Sequence, residues 1–129
     1  MQNSPIEAWH QVVKTKDPAA LNAILADNAS FVSPLLNTPQ VGKKLAAMYL
    51  MGASHVLGNG SFTYVRELFG ERDAMLEFEC VLDGLTVNGV DIIKWNDDGK
   101  IVEFKVMLRP FKATTLVGQK MAALLETMK

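Results

Sequence analysis

Apolar residues recur at three- and four-residue steps through roughly the first sixty positions and at alternate positions for the next fifty, so the chain divides into a helical part and a strand part. Ser4-Pro5-Ile6-Glu7 carries a helix start, with Ser4 as cap, Pro5 at the first helical position and Glu7 completing a capping box. Ile6, Trp9 and Val13 then fall on one face. Asp17-Pro18 repeats the signal and predicts a short second helix with Leu21, Ile24 and Leu25 inward. Residues 29–33 read as a brief strand stopped by Pro34, followed by a loop over 35–40. Val41, Leu45, Met48, Gly52 and His55 mark the inner stripe of a third helix.

From Ser61 the period changes to two, and four strands are expected over residues 62–69, 74–82, 85–95 and 101–108. Turn residues stand at 70–73, at Asp83-Gly84 and at 96–99, while Asn88-Gly89 predicts a bulge inside the third of these strands. Arg109-Pro110 ends the strand series, and residues 111–128 form a last helix with Val117, Met121, Leu124 and Met128 on one side. Helices followed by an antiparallel meander give a segregated α+β fold, read as one domain over residues 1–129.

Alternation sorts the strand residues into two faces. Leu76, Phe78 and Cys80 oppose Glu77, Glu79 and Val81; Phe104, Val106 and Leu108 oppose Glu103, Lys105, Met107 and Arg109; Asp91, Ile93 and Trp95 oppose Ile92 and Lys94. One face is therefore apolar apart from Asp91. The other is mixed. It suits cross-strand ion pairs such as Glu79 with Lys94 or Lys105, each worth less than about 1 kcal/mol when exposed. It equally suits a homodimer interface.

Totals narrow the partners. Thirteen Lys and Arg against fourteen Asp and Glu leave a net charge of −1, which argues against nucleic acid as the main partner. No stretch approaches the roughly 20 apolar residues that a membrane-spanning helix needs. The start, MQNSPIEAWHQ, has neither a basic cluster nor an apolar run, so no secretory signal is expected and a reducing cytoplasm is the natural setting. One cysteine and two histidines without ligand spacing predict no metal site, and Gly58-Asn59-Gly60 lacks the lysine and helix of a phosphate loop, so no cofactor is expected.

Three strings carry a resemblance: Ala29-Ser30-Phe31-Val32-Ser33-Pro34, Gly42 opening a helix with Ala46-Ala47-Met48-Tyr49, and Val90-Asp91-Ile92-Ile93-Lys94-Trp95-Asn96-Asp97-Asp98-Gly99-Lys100-Ile101. Together with the order of elements, they resemble the SnoaL-like, NTF2-like superfamily along essentially the whole chain. The resemblance implies a cone of helices on a strongly curved antiparallel sheet around an internal pocket, here with an extra C-terminal helix, and dimerisation through the sheet's outer face. Within the ketosteroid isomerase branch, it implies that Asp91 matches the aspartate that hydrogen-bonds the oxyanion. Ser33 stands where that branch has its general base, and Trp9 falls near its oxyanion tyrosine. A serine without an activator does not abstract a carbon-bound proton at neutral pH.

Asp91 is the leading site candidate, because an apolar setting of Phe78, Trp95 and Leu108 would raise its pKa and let it act as acid, base or hydrogen-bond donor. Trp9 reads as a pocket wall with an indole donor or as a large core residue. His55 is a candidate base from the third helix, or a helix-end histidine on the last carbonyls. Tyr49 and Ser33 are further ligand contacts, Ser33 serving equally to end its strand. Cys80 reads as a buried inert thiol. The expected function is binding of a small apolar molecule in the pocket. The alternative is an isomerase, dehydratase or cyclase acting on a small cyclic, polyketide-like or steroid-like substrate through Asp91.

Overall fold

The computed structural model describes residues 4–128, so Met1–Asn3 of the N-terminal stretch read above lie outside it. Helix α1 (Ile6–Thr15) follows Pro5, and the Ser4 hydroxyl accepts from the backbone N–H of Ile6 at 3.2 Å. Lys16 in the left-handed region ends it. Helix α2 (Pro18–Ile24) is capped by Asp17, whose carboxylate accepts from Ala19 N at 3.0 Å. Strand β1 (Leu25–Val32) starts directly from α2, four residues earlier than the sequence pattern indicated. A two-residue strand β2 (Gln40–Val41) pairs back on it.

Helix α3 (Lys43–Leu57) opens after Gly42, whose φ of +109° only glycine adopts without strain. Its buried residues are Ala46, Leu50, Met51, Gly52, Val56 and Leu57. Of the expected stripe, Gly52 is buried and Leu45 and Met48 are half-buried, whereas Val41 belongs to β2 and is 66% exposed and His55 faces solvent. The reason is that α3 packs on both β1 and the C-terminal helix, so apolar residues occupy much of its circumference and mask the phase.

The meander follows as β3 (Thr63–Phe69), β4 (Asp73–Leu82), β5 (Leu85–Trp95) and β6 (Ile101–Arg109), with α4 (Phe111–Thr127) closing the chain. The six strands form one curved, unclosed sheet in the order β2-β1-β6-β5-β4-β3. All neighbours are antiparallel except β1 and β6, which run parallel. Asp83 and Gly84, at φ +50° and +80°, form the two-residue hairpin expected of them, with Leu82 opposite Leu85. The burial of β4 alternates without a break from Ala74 to Leu82, as the two-face reading required. Glu79 lies opposite Asn88 rather than a lysine, and Glu77 takes the ion pair instead, with Arg66 at 2.8 Å. Among the described residues, no helix is long and apolar enough to cross a membrane, and no cluster of metal-ligating side chains forms.

The bulge expected at Asn88-Gly89 is absent, and β5 stays in register with β4 from Asp73↔Lys94 to Leu82↔Leu85. Gly89 serves a different purpose. A side-chain carbon there would collide with the Phe78 ring and come within 2.8 Å of both Leu108 Cδ2 and the Met107 carbonyl oxygen. The missing side chain leaves room for the Phe78 ring, which lines the cavity described next. Gly89→Ala is expected to cost about 2 kcal/mol of stability through overpacking against a backbone carbonyl that cannot retreat. Urea unfolding of the variant beside the wild type measures this.

Candidate functional site

Asp91 sits mid-way along β5, between Leu76 of β4 and Val106 of β6, and its period-two position sends the side chain to the buried face. It is 5% exposed. Tyr64, from edge strand β3, donates its hydroxyl proton to Asp91 Oδ2 at 2.6 Å. Trp9, from α1, donates its indole N–H to the Tyr64 oxygen at 2.9 Å. A chain of donors thus runs from the first helix through the edge strand to the carboxylate. The second carboxyl oxygen, Oδ1, takes no hydrogen bond among the described residues.

Burial dominates the electrostatics. Desolvation pushes the Asp91 carboxyl up to about 7, against a smaller downward pull from the Tyr64 hydrogen bond. Desolvation first, and then the nearby Asp91 charge, raise Tyr64 well above the usual phenol range, so it stays a donor. Near neutrality the carboxyl populates both protonation states and can accept or donate through Oδ1. The group borders a cavity of about 40 Å³ walled by Trp9, Leu50, Phe62, Phe78, Phe104 and Val106. Asp91 is the one charged residue among the described lining residues.

Of the residues singled out from sequence, Asp91, Trp9 and Phe78 come together here. The others stand apart. Trp95 is fully buried farther along β5, its indole N–H without a partner among the described residues. Leu108 is half-buried beside a groove on the outer face of the sheet, with Met107 and Arg109. The Ser33 hydroxyl accepts from Leu35 N at 3.0 Å and ends its strand. Tyr49 stacks on Phe31 with ring centres 5.8 Å apart. His55 is exposed on α3, away from the cavity wall.

Tyr64 is the residue that sequence reading passed over. Counted back from the β3–β4 turn, Glu67 faces inward opposite Leu76, and strict alternation would put Val65 inside with it. A register shift between Tyr64 and Arg66 inserts one residue and brings Tyr64 opposite Phe78 instead. The one available signal was an aromatic at a strand position that alternation alone assigned to solvent.

Two expectations follow. Because the folded carboxyl binds its proton more tightly than an unfolded one, the folded state holds the extra proton between about pH 4 and pH 7, and stability falls as pH rises through that window. The loss is on the order of 4 kcal/mol and levels off above about pH 7. Asp91→Asn abolishes this slope, as denaturation at several pH values will show. Tyr64→Phe removes the downward pull on Asp91 and strands the Trp9 indole N–H. It is expected to raise the carboxyl midpoint further in an NMR titration and to cost about 2 kcal/mol.

The comparisons with known proteins accord with this architecture. The model of the SnoaL-like domain matches residues 6–104. A steroid delta-isomerase from Pseudomonas aeruginosa is 30% identical, with a TM-score of 0.93 over 99% of this chain and 95% of that one. An uncharacterised bacterial protein with a cystatin-like fold from Silicibacter pomeroyi is 29% identical, at a TM-score of 0.89 over 98% and 88%. An NTF2-like protein of unknown function from Mesorhizobium loti shares the fold at 18% identity and a TM-score of 0.69, over 81% of this chain and 88% of that one. Among curated proteins none matches. With a family match across most of its length, on a helix-backed curved sheet of the NTF2-like type, the chain belongs to the SnoaL-like domain family.

Proposed function

We propose that the protein binds a small, largely apolar molecule in the cavity and seats one polar group of it on Asp91. The observation that carries this reading is a buried carboxyl, held from one side by Tyr64 and Trp9, with its other oxygen unclaimed at the edge of an aromatic wall. Burying that carboxyl costs stability (the pH dependence above), and a hydrogen bond from a bound partner offsets part of the cost. The apolar lining contributes affinity through area removed from water, and Asp91 fixes orientation.

A second reading, proton transfer on such a ligand, is favoured by the pairing of Asp91 with Tyr64. A carboxyl near neutrality is a competent general base and acid at physiological pH. With Ser33 tied to Leu35 and outside the cavity wall, no second carboxylate joins it among the described lining residues. Asp91 then takes a proton from the carbon beside a carbonyl, the electron pair shifts along the adjacent double bond, and the same carboxyl returns the proton farther along. The steroid delta-isomerase similarity supports this class of chemistry.

The same proposal includes a second copy of the chain on the outer sheet face. There Leu68, Met75, Val81 and Met107 stand exposed around the Arg66–Glu77 pair and Arg109, the mixture that suits an isologous interface. Buried, free Cys80 fits a reducing cytoplasm.

A thermal-shift and NMR screen of small ketones, alcohols and terpenoids on wild type and Asp91→Asn tests the binding site. Alcohol hits, which donate to the carboxylate, are expected to lose about tenfold in affinity in the variant, the worth of one hydrogen bond to a charged group. A hit indifferent to the substitution removes Asp91 from the site. Conversion of a β,γ-unsaturated ketone to its conjugated isomer, followed by absorbance, is expected of the wild type and not of Asp91→Asn. No conversion by the wild type ends the second reading alone.

A further inference from the structure

The outer face of the sheet carries its charges unevenly. On β3 and β4, Arg66 stands against Asp73, Glu77 and Glu79, which leaves that half at −2. On β6, Lys105 and Arg109 stand against Glu103, which leaves the other half at +1. Strand β5 divides the two with half-buried Val90 and Ile92, and Lys94 at its end lies between Asp73 and Glu103 and offsets both. Arg66 is engaged by Glu77. Glu79 and Arg109 make no ion pair among the described residues, and Glu79 has only a long contact from Asn88 Nδ2 at 3.4 Å. Arg109 pulls on Glu77 from a distance without bonding to it. Yet Glu79 and Arg109 occupy one row of the sheet, directly on either side of Asn88.

Resting on the second copy proposed above, we infer that it docks about a two-fold axis running along β5, so that Glu79 of each chain pairs with the partner subunit's Arg109. Two sheets packed face to face as an isologous pair are related by an axis in the plane between them. An axis across the strands lays each half of the face on its own counterpart, and the two acidic halves then confront each other. An axis along β5 exchanges the halves. Strand β4 of one copy then lies over β6 of the other at the same level, because Glu79 and Arg109 share a row. Facing sheets stand about 10 Å apart, a gap that a glutamate and an arginine side chain span together. Val90 and Ile92 meet their own counterparts along the axis, and Met75 and Met107 beside them are exposed and flexible enough to fill the space around it. The charges select this arrangement and the apolar centre holds it.

Sedimentation equilibrium of the full-length protein over a concentration series tests this with Glu79→Arg, Arg109→Glu and the double variant that exchanges the two charges. Both side chains are exposed, so circular dichroism is expected to show unchanged folding. Each single reversal turns two ion pairs into two like-charge contacts and is expected to weaken the dimer about a hundredfold. The double variant is expected to return to within about threefold of the wild type, since both pairs re-form with their signs exchanged. An equal mixture of the two single variants is expected to give a heterodimer where neither variant dimerises alone. A dimer indifferent to the single reversals, a double variant no tighter than the singles, or a mixture that stays monomeric overturns the axis along β5 and leaves the dimer standing. A wild type that sediments as a monomer at every concentration overturns the dimer itself.

Discussion

A single carboxyl group removed from water governs the arrangement of the inner face. Asp91 is the one charged residue that β5 carries inward, and its burial costs more than any hydrogen bond in the vicinity returns. The surrounding structure answers that cost in a specific way. Tyr64 donates to one oxygen and is itself oriented by Trp9, so three distant segments of the chain converge on one atom. The aromatic residues then close around the group and keep water from reducing the penalty. A leucine in its place would avoid the desolvation cost but leave the Tyr64 hydroxyl without its acceptor.

Much of this architecture was legible in the sequence. The meander, its hairpin at Asp83-Gly84 and the face assignment of β4, β5 and β6 follow from period-two alternation, which is sharp where one face is apolar and the other charged. The phase of α3 was not legible, because a helix covered on two sides by β1 and α4 carries no clean polar stripe. The parallel pairing of β1 with β6 was also out of reach, since it joins segments some seventy residues apart without a local turn to set the register.

The site divides along the same line. Asp91 and Phe78 lie on strands whose alternation is unbroken, so their inward direction could be read directly. Trp95 shares that direction and still misses the cavity. Four residues at about 3.3 Å each place it some 13 Å farther along the strand. Alternation fixes a face and says nothing of distance along it. Tyr64 was hidden by the opposite fault, for one inserted residue reverses the face of everything on its far side. Gly89 shows a third case: its dipeptide is a turn signal, yet packing against Phe78 and Leu108 decides its use.

The donor chain from Trp9 has a meaning for assembly as well as for ligands. Trp9 belongs to the first helix, whereas Tyr64 and Asp91 belong to a meander whose hairpins form locally. Trp9 of α1 and Leu50 and Leu57 of α3 share the wall that keeps Asp91 from water. The proton affinity of this one carboxyl therefore depends on how fully both helices cover the sheet, and protons and that coverage favour each other by the same free energy.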